Sequence, residues 1–251
     1  MTSHTARPFR LMTYNVHRCV GLDRRHSPER IADVITRYNP DIIALQELEV
    51  GHRRTGHVHQ PRRLAEILGM NYHYHPARRR GDAQFGNAVF SKLPLDAVRS
   101  AALPAYVGMQ ARAALWASVT VSGLKIQVIN THLGLLHFER VRQARALCGE
   151  EWLDHPECSP HPRIICGDFN ATPISPAYRL FRSGMRDAQH LGSDRVRRTW
   201  PSFMPMVRYD HIFVCPQIQV HRTLVPSSRL TSLASDHLPV IMDFQVRSRP
   251  A

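Results

Sequence analysis

Six residues in this sequence have types and positions suited to phosphate chemistry. They are two Asp-His pairs and two acidic residues that follow apolar runs: Asp210 and His211, Asp236 and His237, Glu47, and Asp168. Each lies where an apolar stretch gives way to a loop, so side chains from several strands can converge there. Gathered carboxylates and imidazoles are the groups needed to bind a hard divalent cation and hydrolyse a phosphate ester.

Each acidic position also has a simpler explanation. A carboxylate at Glu47, after DIIALQ, needs a partner, and both a metal ion and an arginine would serve. Asp168, in RIICGDFN, could orient a water molecule, and the amide of Asn170 could donate to a phosphate oxygen. Asp and Asn are also ordinary turn residues, so a plain turn is the alternative.

The two Asp-His pairs are expected to differ in role. Asp236 could face a cation, and His237 could contact phosphate or transfer a proton, since the ordinary histidine pKa is about 6.5. An isolated pair of this kind before a strand is more often structural. Asp210 could accept a hydrogen bond from a catalytic histidine, whereas His211 would point to the opposite face of its strand and is expected to be structural.

The charge of the chain favours a polyanionic partner. Its 251 residues include 33 Lys and Arg against 20 Asp and Glu, a formal net charge of +13. Arginine matches phosphate with a planar fork of donors, and nucleic acid and an anionic lipid surface satisfy this equally well. Arg53 and Arg54, and the run 78–80, lie in predicted loops where they could bind flanking phosphates. Solvated loops and a generally arginine-rich composition are the alternatives.

Several classes of protein are disfavoured. No apolar run approaches the roughly 20 residues of a membrane span, and the first thirty residues lack the apolar stretch of a signal peptide. A cytoplasmic protein is therefore expected, with an unrecognised export route as the alternative, and a monomer is favoured. The five cysteines are scattered without a C-x-x-C pair, which disfavours a disulfide scaffold and a thiolate zinc site.

The pattern of elements predicts a layered α/β fold. Strands are predicted at 9–16, 41–47, 71–75, 85–91, 112–121, 124–131, 163–168, 209–215, 218–225 and 239–246. Helices are predicted from Ser27, at 61–68 and at 138–153, the last with an apolar stripe that includes Phe138 and Trp152. Each half delivers an Asn-x-His pair and then an acid: Asn15 before Glu47, and Asn130 before Asp168. Two such layers predict a four-layer α/β/β/α sandwich of two mixed sheets, a single domain over 1–251 with its core at about 8–247.

Seven strings in order carry a family resemblance. TYNVH, DIIALQEL, FGNAVFSKLPL, VINTHLGLL, ICGDFNATP, RYDHIFV and SDHLPV resemble the successive motifs of the endonuclease/exonuclease/phosphatase superfamily, which includes the DNase I-like nucleases. The match runs from Asn15 to Val240. The resemblance implies the DNase I-like sandwich and a phosphoesterase that depends on Mg²⁺, with Mn²⁺ as the alternative.

The resemblance also implies roles for individual residues. Glu47 matches the principal metal ligand, Asn15 the amide beside it, and Asp236 an acid near the metal. Some members carry an acid two residues after the first Asn, where this chain has His17. Arg112 could meet a phosphate or neutralise a carboxylate.

The catalytic positions match in the same way. Asp168 corresponds to the acid that orients the attacking water, and Asn170 to the amide that binds the phosphate. His132 corresponds to the histidine of the DNase-like members, and His237 to the closing histidine. Asp210 corresponds to the acid that orients a catalytic histidine, with either His132 or His237 as its partner. Trp200, in the string RTWPSFMPMVRYDHIFV, is expected at the wall of the substrate site or packed inside its loop.

Three functions follow in order of preference. The first is a Mg²⁺-dependent phosphodiesterase acting on DNA or RNA. The second is a hydrolase of phospholipids or of other small phosphodiesters or phosphomonoesters. The third is a polyanion-binding protein without catalysis.

Overall fold

The computed structural model describes residues 7–192 and 194–247. The ends of the expected domain, 1–6 and 248–251, lie outside the described residues. Twelve strands are present in this part of the chain: β1 Phe9–Asn15, β2 Ile42–Val50, β3 Asn71–Arg80, β4 Ala83–Ser91, β5 Leu95–Ala102, β6 Ala113–Val121, β7 Leu124–His132, β8 Arg163–Asp168, β9 Arg186–Asp187, β10 Asp210–Val214, β11 Ile218–Leu224 and β12 Val240–Val246. Five α-helices accompany them: α1 Pro28–Tyr38, α2 Gln60–Leu68, α3 His137–Cys148, α4 Pro176–Gly184 and α5 Arg229–Ala234.

The strands form two mixed sheets of six, which confirms the predicted DNase I-like sandwich. The first sheet has the order β11-β12-β1-β2-β4-β3 and the second β5-β6-β7-β8-β10-β9. Parallel pairing occurs between β1 and β2 and between β7 and β8, and the other pairs are antiparallel. Within the described residues, no helix is both long and apolar enough to span a membrane.

Alternation along β1 shows why two sheets and outer helices form. Leu11 belongs to the apolar cluster that the two sheets share, whereas Met12 and Tyr14 belong to a cluster with Ile31 and Ile35 of α1. Successive strand side chains point to opposite faces, so a strand that is apolar on both faces must be covered on both. The shared cluster also contains residues of α3 and α4, which cover the second sheet from outside.

The predicted start of α1, the predicted end of α2 and the predicted hairpin are confirmed. Ser27 caps α1 by accepting a hydrogen bond from the backbone N–H of Arg30, and Gly69 ends α2 at φ +62°. Strands β6 and β7 pair from Val121 and Leu124 onward, through the predicted turn at Ser122-Gly123, where both residues have positive φ.

Three predictions about elements were wrong or incomplete. Helix α3 ends at Cys148, and Phe138 is 50% exposed rather than part of the buried stripe. Its buried face instead includes Gln143, whose side chain binds the backbone of Gly134 and Pro104. Ala144 and Leu147 are buried as well, so apolar contacts and the hydrogen bonds of Gln143 together orient the helix. The run 78–80 lies at the end of β3 and not in a loop, because it pairs with β4. Strand β5 and helices α4 and α5 were not predicted.

One rim of the sandwich gathers the polar strand ends. It is formed by the carboxyl ends of β1, β2, β7 and β8 and by the amino ends of β6, β10 and β12. Loops from both sheets emerge at this rim, so residues far apart in sequence meet there.

Candidate active site

Asp168 lies at the centre of the polar cluster because strand register places it there. It is the last residue of β8, in register with His132 of β7 on one side and with Asp210 of β10 on the other. The preceding residue, Gly167, has φ +142°, and a Cβ there would lie 1.8 Å from the carbonyl oxygen of Thr131. Only glycine therefore allows β8 to approach β7 closely enough to bring these three side chains together.

Asn15 connects the two sheets at this point. Its Nδ2 lies 2.9 Å from Oδ2 of Asp168 and 3.3 Å from Oε1 of Glu47. Glu47 lies in a bulge of β2 with φ +62°, a left-handed conformation that is uncommon for residues other than glycine. The bulge interrupts the pairing of β2 with β4 and turns the Glu47 carboxylate toward Asp168. Asn15, Glu47 and Asp168 therefore meet at the rim, as the sequence led us to expect.

His237 is the partner of Asp210, which decides between the two candidates. Its Nδ1 lies 2.8 Å from Oδ2 of Asp210, and its Nε2 lies 3.6 Å from Oδ2 of Asp168. Burial opposes a charge on this ring, but Asp210 and Asp168 outweigh it and raise the pKa of His237 to about 10. The imidazolium therefore donates to Asp210 and presents a second N–H to the centre of the site.

The carboxyl group of Asp168 is hard to ionise. Burial is the main reason that the pKa of Asp168 rises from 3.8 to about 6. The positive charge of His237 lowers this pKa, and the negative charge of Asp210 raises it. Hydrogen bonds from Asn15 and from the backbone N–H of Asn170 oppose the increase. A pKa close to neutral is what a group needs in order to accept a proton from water at ordinary pH.

His132 has a tautomer fixed by Arg112. A guanidinium nitrogen of Arg112 lies 3.0 Å from Nδ1 of His132. Since arginine can only donate, Nδ1 must be the acceptor. Burial, together with the charges of Arg112 and His237, lowers the pKa of His132 well below its ordinary value, so the ring is neutral with its proton on Nε2. This atom lies 3.4 Å from Oδ2 of Asp168.

Asn170 is held in place by its backbone and by its side chain. It has φ +46°, its backbone N–H donates to Oδ1 of Asp168 at 2.9 Å, and its Nδ2 donates to the carbonyl oxygen of Leu133 at 2.9 Å. The buried ring of His211 lies on the opposite side of β10, with Nε2 2.7 Å from the carbonyl oxygen of Ala171. His211 therefore supports the loop that carries Asn170, in agreement with its expected structural role.

The cluster fits a divalent cation. Asp168, Asp210 and His237 offer ligand atoms that all lie within 4.8 Å of one another. Oδ1 of Asp210 is buried without a hydrogen-bond partner, and Glu47 adds a third carboxylate through Asn15. Such carboxylates repel one another unless a positive charge is present, and oxygen atoms are the ligands that hard cations prefer. Because His237 is protonated and bound to Asp210, the oxygen atoms would hold the cation.

The structure places the other predicted site residues further out. Asp236 is half-buried, with Oδ1 3.7 Å from Nδ1 of His17. Trp200 packs against Tyr209, with ring centroids 5.7 Å apart. Arg112 is buried beside His132, and the carboxylates of Asp168, Glu47 and Glu139 act on its guanidinium and favour its charged form.

Arg53 and Arg54 line a separate cleft on the same rim. The cleft has a volume of about 560 Å³, and the other residues around it include the run 78–80, His52, His57 and Glu49. The charge of Arg78 acts on Arg112, so the cleft adjoins the candidate active site. Glu49 and Arg18 were not predicted. Nε of Arg18 lies 3.5 Å from Oε1 of Glu49, and only the approach of β1 to β2 brings them together.

One sequence-based parallel did not hold. Asn130 was expected to match Asn15, but it is fully buried between the sheets and away from the rim. Its Nδ2 donates to the carbonyl oxygens of Leu45 and Ala88, and its Oδ1 accepts from Gln46. Asn130 therefore satisfies backbone groups of the first sheet and has a structural role.

Comparisons with known proteins identify the family of this chain. The sequence profile of the endonuclease/exonuclease/phosphatase family matches residues 12–237. The chain belongs to this family. Proteins of the family generally hydrolyse phosphoester bonds with the help of a divalent metal ion. No curated protein matches the chain by sequence.

Solved structures show the same fold. An endonuclease/exonuclease/phosphatase protein from Beutenbergia cavernae is 24% identical with a TM-score of 0.76, over 98% of this chain and 73% of that one. The catalytic domain of human nocturnin, with a bound sulfate anion, is 25% identical with a TM-score of 0.72, over 96% of this chain and 94% of that one. The mannosyl-6-phosphatase Bt3783 of Bacteroides thetaiotaomicron is 21% identical with a TM-score of 0.76, over 94% and 99%.

Proposed function

We propose that the protein is a Mg²⁺-dependent phosphodiesterase that works through the Asp168 cluster. The observation that carries the proposal is the convergence of the Nε2 atoms of His132 and His237, at 3.4 and 3.6 Å, on the same oxygen of Asp168. Two N–H donors and one carboxylate directed at a single point suit an anionic, tetrahedral phosphate group and the water that attacks it.

Each residue has a distinct part in this proposal. Asp168 orients the attacking water and accepts its proton, for which its raised pKa is suited. His237 donates from its protonated ring to a phosphate oxygen, with Asp210 holding the ring by its other nitrogen. His132 donates from Nε2 because Arg112 occupies Nδ1.

Glu47 and Asn15 would hold the divalent ion beside Asp168, with Asp236 at the edge of the site. A bound divalent cation supplies positive charge that offsets the charge on the phosphate oxygens and on the leaving group. The amide of Asn170 lies 3.1 Å from the His132 ring, where it supports the same phosphate oxygens.

Nucleic acid is the first candidate substrate. Five arginines from two segments, Arg53 and Arg54 with the run 78–80, line one cleft next to the site. Spaced arginines of this kind suit the regularly spaced phosphates of DNA or RNA. The nocturnin domain is the relative with a bound sulfate, and its fold supports an anion site on this scaffold.

A phospholipid is the second candidate substrate, and a different observation favours it. Large apolar side chains in the loops around the site are exposed, including Phe203 at 66% and Leu135 at 64%. A polyanionic substrate offers them little to contact, whereas a lipid does. A small phosphomonoester is a third possibility, which the similarity to a mannosyl-6-phosphatase supports only at the level of fold.

A substrate panel tests the reaction. The wild-type protein is assayed on plasmid DNA, an RNA oligonucleotide, phosphatidylglycerol vesicles, bis(p-nitrophenyl) phosphate and p-nitrophenyl phosphate, with Mg²⁺, Mn²⁺ or EDTA. Glu47→Gln should lower turnover by on the order of a hundredfold or more, whereas Glu66→Gln, an exposed change on α2, should not. Turnover that is unaffected by EDTA would overturn the metal role. Binding of polyanions without turnover of any substrate would favour a non-catalytic protein.

A further inference from the structure

Exposed apolar side chains are concentrated on the rim that carries the candidate active site. Among the described residues, more than half of the large apolar side chains that are exposed lie in four loops of this rim. The principal ones are Val107, Leu135, Phe138, Ile174, Phe203 and Met204, with exposed fractions of 103, 64, 50, 82, 66 and 57%. We call these six residues the apolar collar.

Every loop of the collar adjoins a residue of the site. The loop with Val107 leads into Arg112, Leu135 follows His132 by three residues, and Ile174 follows Asn170 by four. The segment with Phe203 and Met204 binds the neighbouring backbone directly, since Ser202 N–H donates to the carbonyl oxygen of Asp236 at 2.8 Å. The collar residues therefore lie in segments that begin or end beside the site.

Contacts join two segments of the collar and anchor a third. The rings of Tyr106 and Phe138 meet edge to face at 4.9 Å, which joins the first loop to the start of α3. Arg140 of α3 donates to the carbonyl oxygen of Leu135, which holds the second loop to the same helix. At the base of the loop that carries Phe203, the ring of Trp200 packs on Tyr209.

We propose that the apolar collar docks the protein on anionic lipid bilayers, with the active site facing the membrane. Exposed loops that combine Leu, Ile, Phe and Met with arginine insert their apolar side chains at the level of the lipid headgroups. Arginines flank the collar: Arg142 lies over the ring of Tyr106, and Arg197 and Arg198 precede Trp200. The net charge of +13 complements an anionic surface.

Two other occupants fit the collar less well. Single-stranded nucleic acid stacks its bases on aromatic rings, but four of the six collar residues are aliphatic. A second copy of this chain would bring two surfaces of a +13 protein together, which electrostatic repulsion opposes. An anionic bilayer offers both the apolar layer and the opposite charge.

The docking site rests on the proposed function and deepens it, since a membrane-facing active site favours the second of its candidate substrates, a phospholipid headgroup. Docking itself does not require turnover, so the two proposals fail separately. Glu47→Gln should bind vesicles as the wild-type protein does even when it has lost activity. Loss of vesicle binding in a collar variant should leave hydrolysis of bis(p-nitrophenyl) phosphate unchanged.

Vesicle co-sedimentation tests the proposal. The probe is a vesicle of equimolar phosphatidylglycerol and phosphatidylcholine, compared with phosphatidylcholine alone. Two double variants remove collar residues: Phe203→Ser with Met204→Ser, and Val107→Ser with Leu135→Ser. Each should lower the partitioning of the protein onto anionic vesicles by on the order of a hundredfold, because two large apolar side chains no longer insert. The matched control is Ile67→Ser with Leu124→Ser, two exposed apolar residues away from the rim. It should partition as the wild-type protein does.

Four results would overturn the proposal. The first is wild-type protein that stays in solution with anionic vesicles, and the second is collar variants that sediment as well as the control. The third is collar variants that keep vesicle binding but lose binding of an oligo-dT strand, which would assign the collar to nucleobases. The fourth is a wild-type dimer in gel filtration that the collar variants dissociate. Unfolding midpoints in urea within error of the wild-type value show that the variants are folded.

Discussion

Replacing Asp168 with Asn should abolish turnover and yet stabilise the metal-free protein at alkaline pH. Asp168 is 1% exposed, and burial beside Asp210 raises its pKa from 3.8 to about 6. A carboxyl group with a raised pKa in the folded state destabilises that state once it ionises. The neutral amide of Asn has no such cost. Asp168→Asn therefore separates the chemical requirement for a carboxylate from its effect on stability.

The size of the effect follows from the two pKa values. Above pH 6 the full difference between 3.8 and about 6 corresponds to about 3 kcal/mol of unfolding free energy. This destabilisation disappears as the pH falls, and at pH 4 about 0.6 kcal/mol is left. Asn15 and the backbone N–H of Asn170 each donate to Asp168, and weakening these bonds costs about 1 to 1.5 kcal/mol at either pH. We expect Asp168→Asn to be more stable by about 1 to 2 kcal/mol at pH 8 and slightly less stable at pH 4.

Urea unfolding in EDTA at pH 8 and pH 4 measures this difference. The decisive quantity is the change between the two pH values, about 2.4 kcal/mol, because the weakened hydrogen bonds affect both. Asp33→Asn, an exposed change on α1, is the control and should show no such change. Mg²⁺ should stabilise the wild-type protein more than the variant, since a ligand of the folded state adds to its stability. A variant that is equally destabilised at both pH values would refute the electrostatic reasoning.

Three further predictions concern the site and the cleft. His237→Ala and Asp210→Asn should each lower kcat for bis(p-nitrophenyl) phosphate by on the order of a hundredfold or more. An unchanged kcat with a raised KM would instead indicate that these residues only bind substrate. Glu47→Gln should raise the Mg²⁺ concentration needed for half-maximal activity, and the wild-type dependence in a Mg²⁺ titration would contradict its assignment as a ligand. Replacing Arg53 and Arg54 with Gln should reduce the slope of log affinity against log salt for duplex DNA by about 0.9 per lost contact, and an unchanged slope would mean that the cleft does not bind DNA.

The fold could largely be predicted because its strands are marked by apolar runs. β8 and β12 are almost wholly buried, so burial and sequence pattern agree there. The pattern failed where polar contacts decide the structure. Helix α3 buries Gln143 and exposes Phe138, because the Gln143 side chain satisfies the backbone of Gly134 and Pro104.

The identity of the site residues was predicted more fully than their partners. Asn15, Glu47, Asp168 and His237 meet as expected. Asn15 and Asp168 end strands at the same rim, His237 precedes β12, and Glu47 lies in a bulge near the end of β2. The pairing of Arg112 with His132 depends on how β6 enters its sheet, and no local pattern encodes it. The basic cleft likewise forms only when the loop after β2 and the end of β3 come together.

The rim departs in two opposite ways from the usual distribution of side chains. Its centre buries the carboxylates of Asp168 and Asp210 with incomplete pairing, while its edge exposes apolar side chains such as Ile174 and Phe203. Either departure alone lowers the stability of the isolated protein. Both are relieved by ligands from outside the chain, a cation and a phosphate for the centre and an apolar layer for the edge. Local departures of this kind are expected at functional sites. Their coincidence on one rim, with a net charge of +13, is the physical basis of the proposed docking on an anionic bilayer.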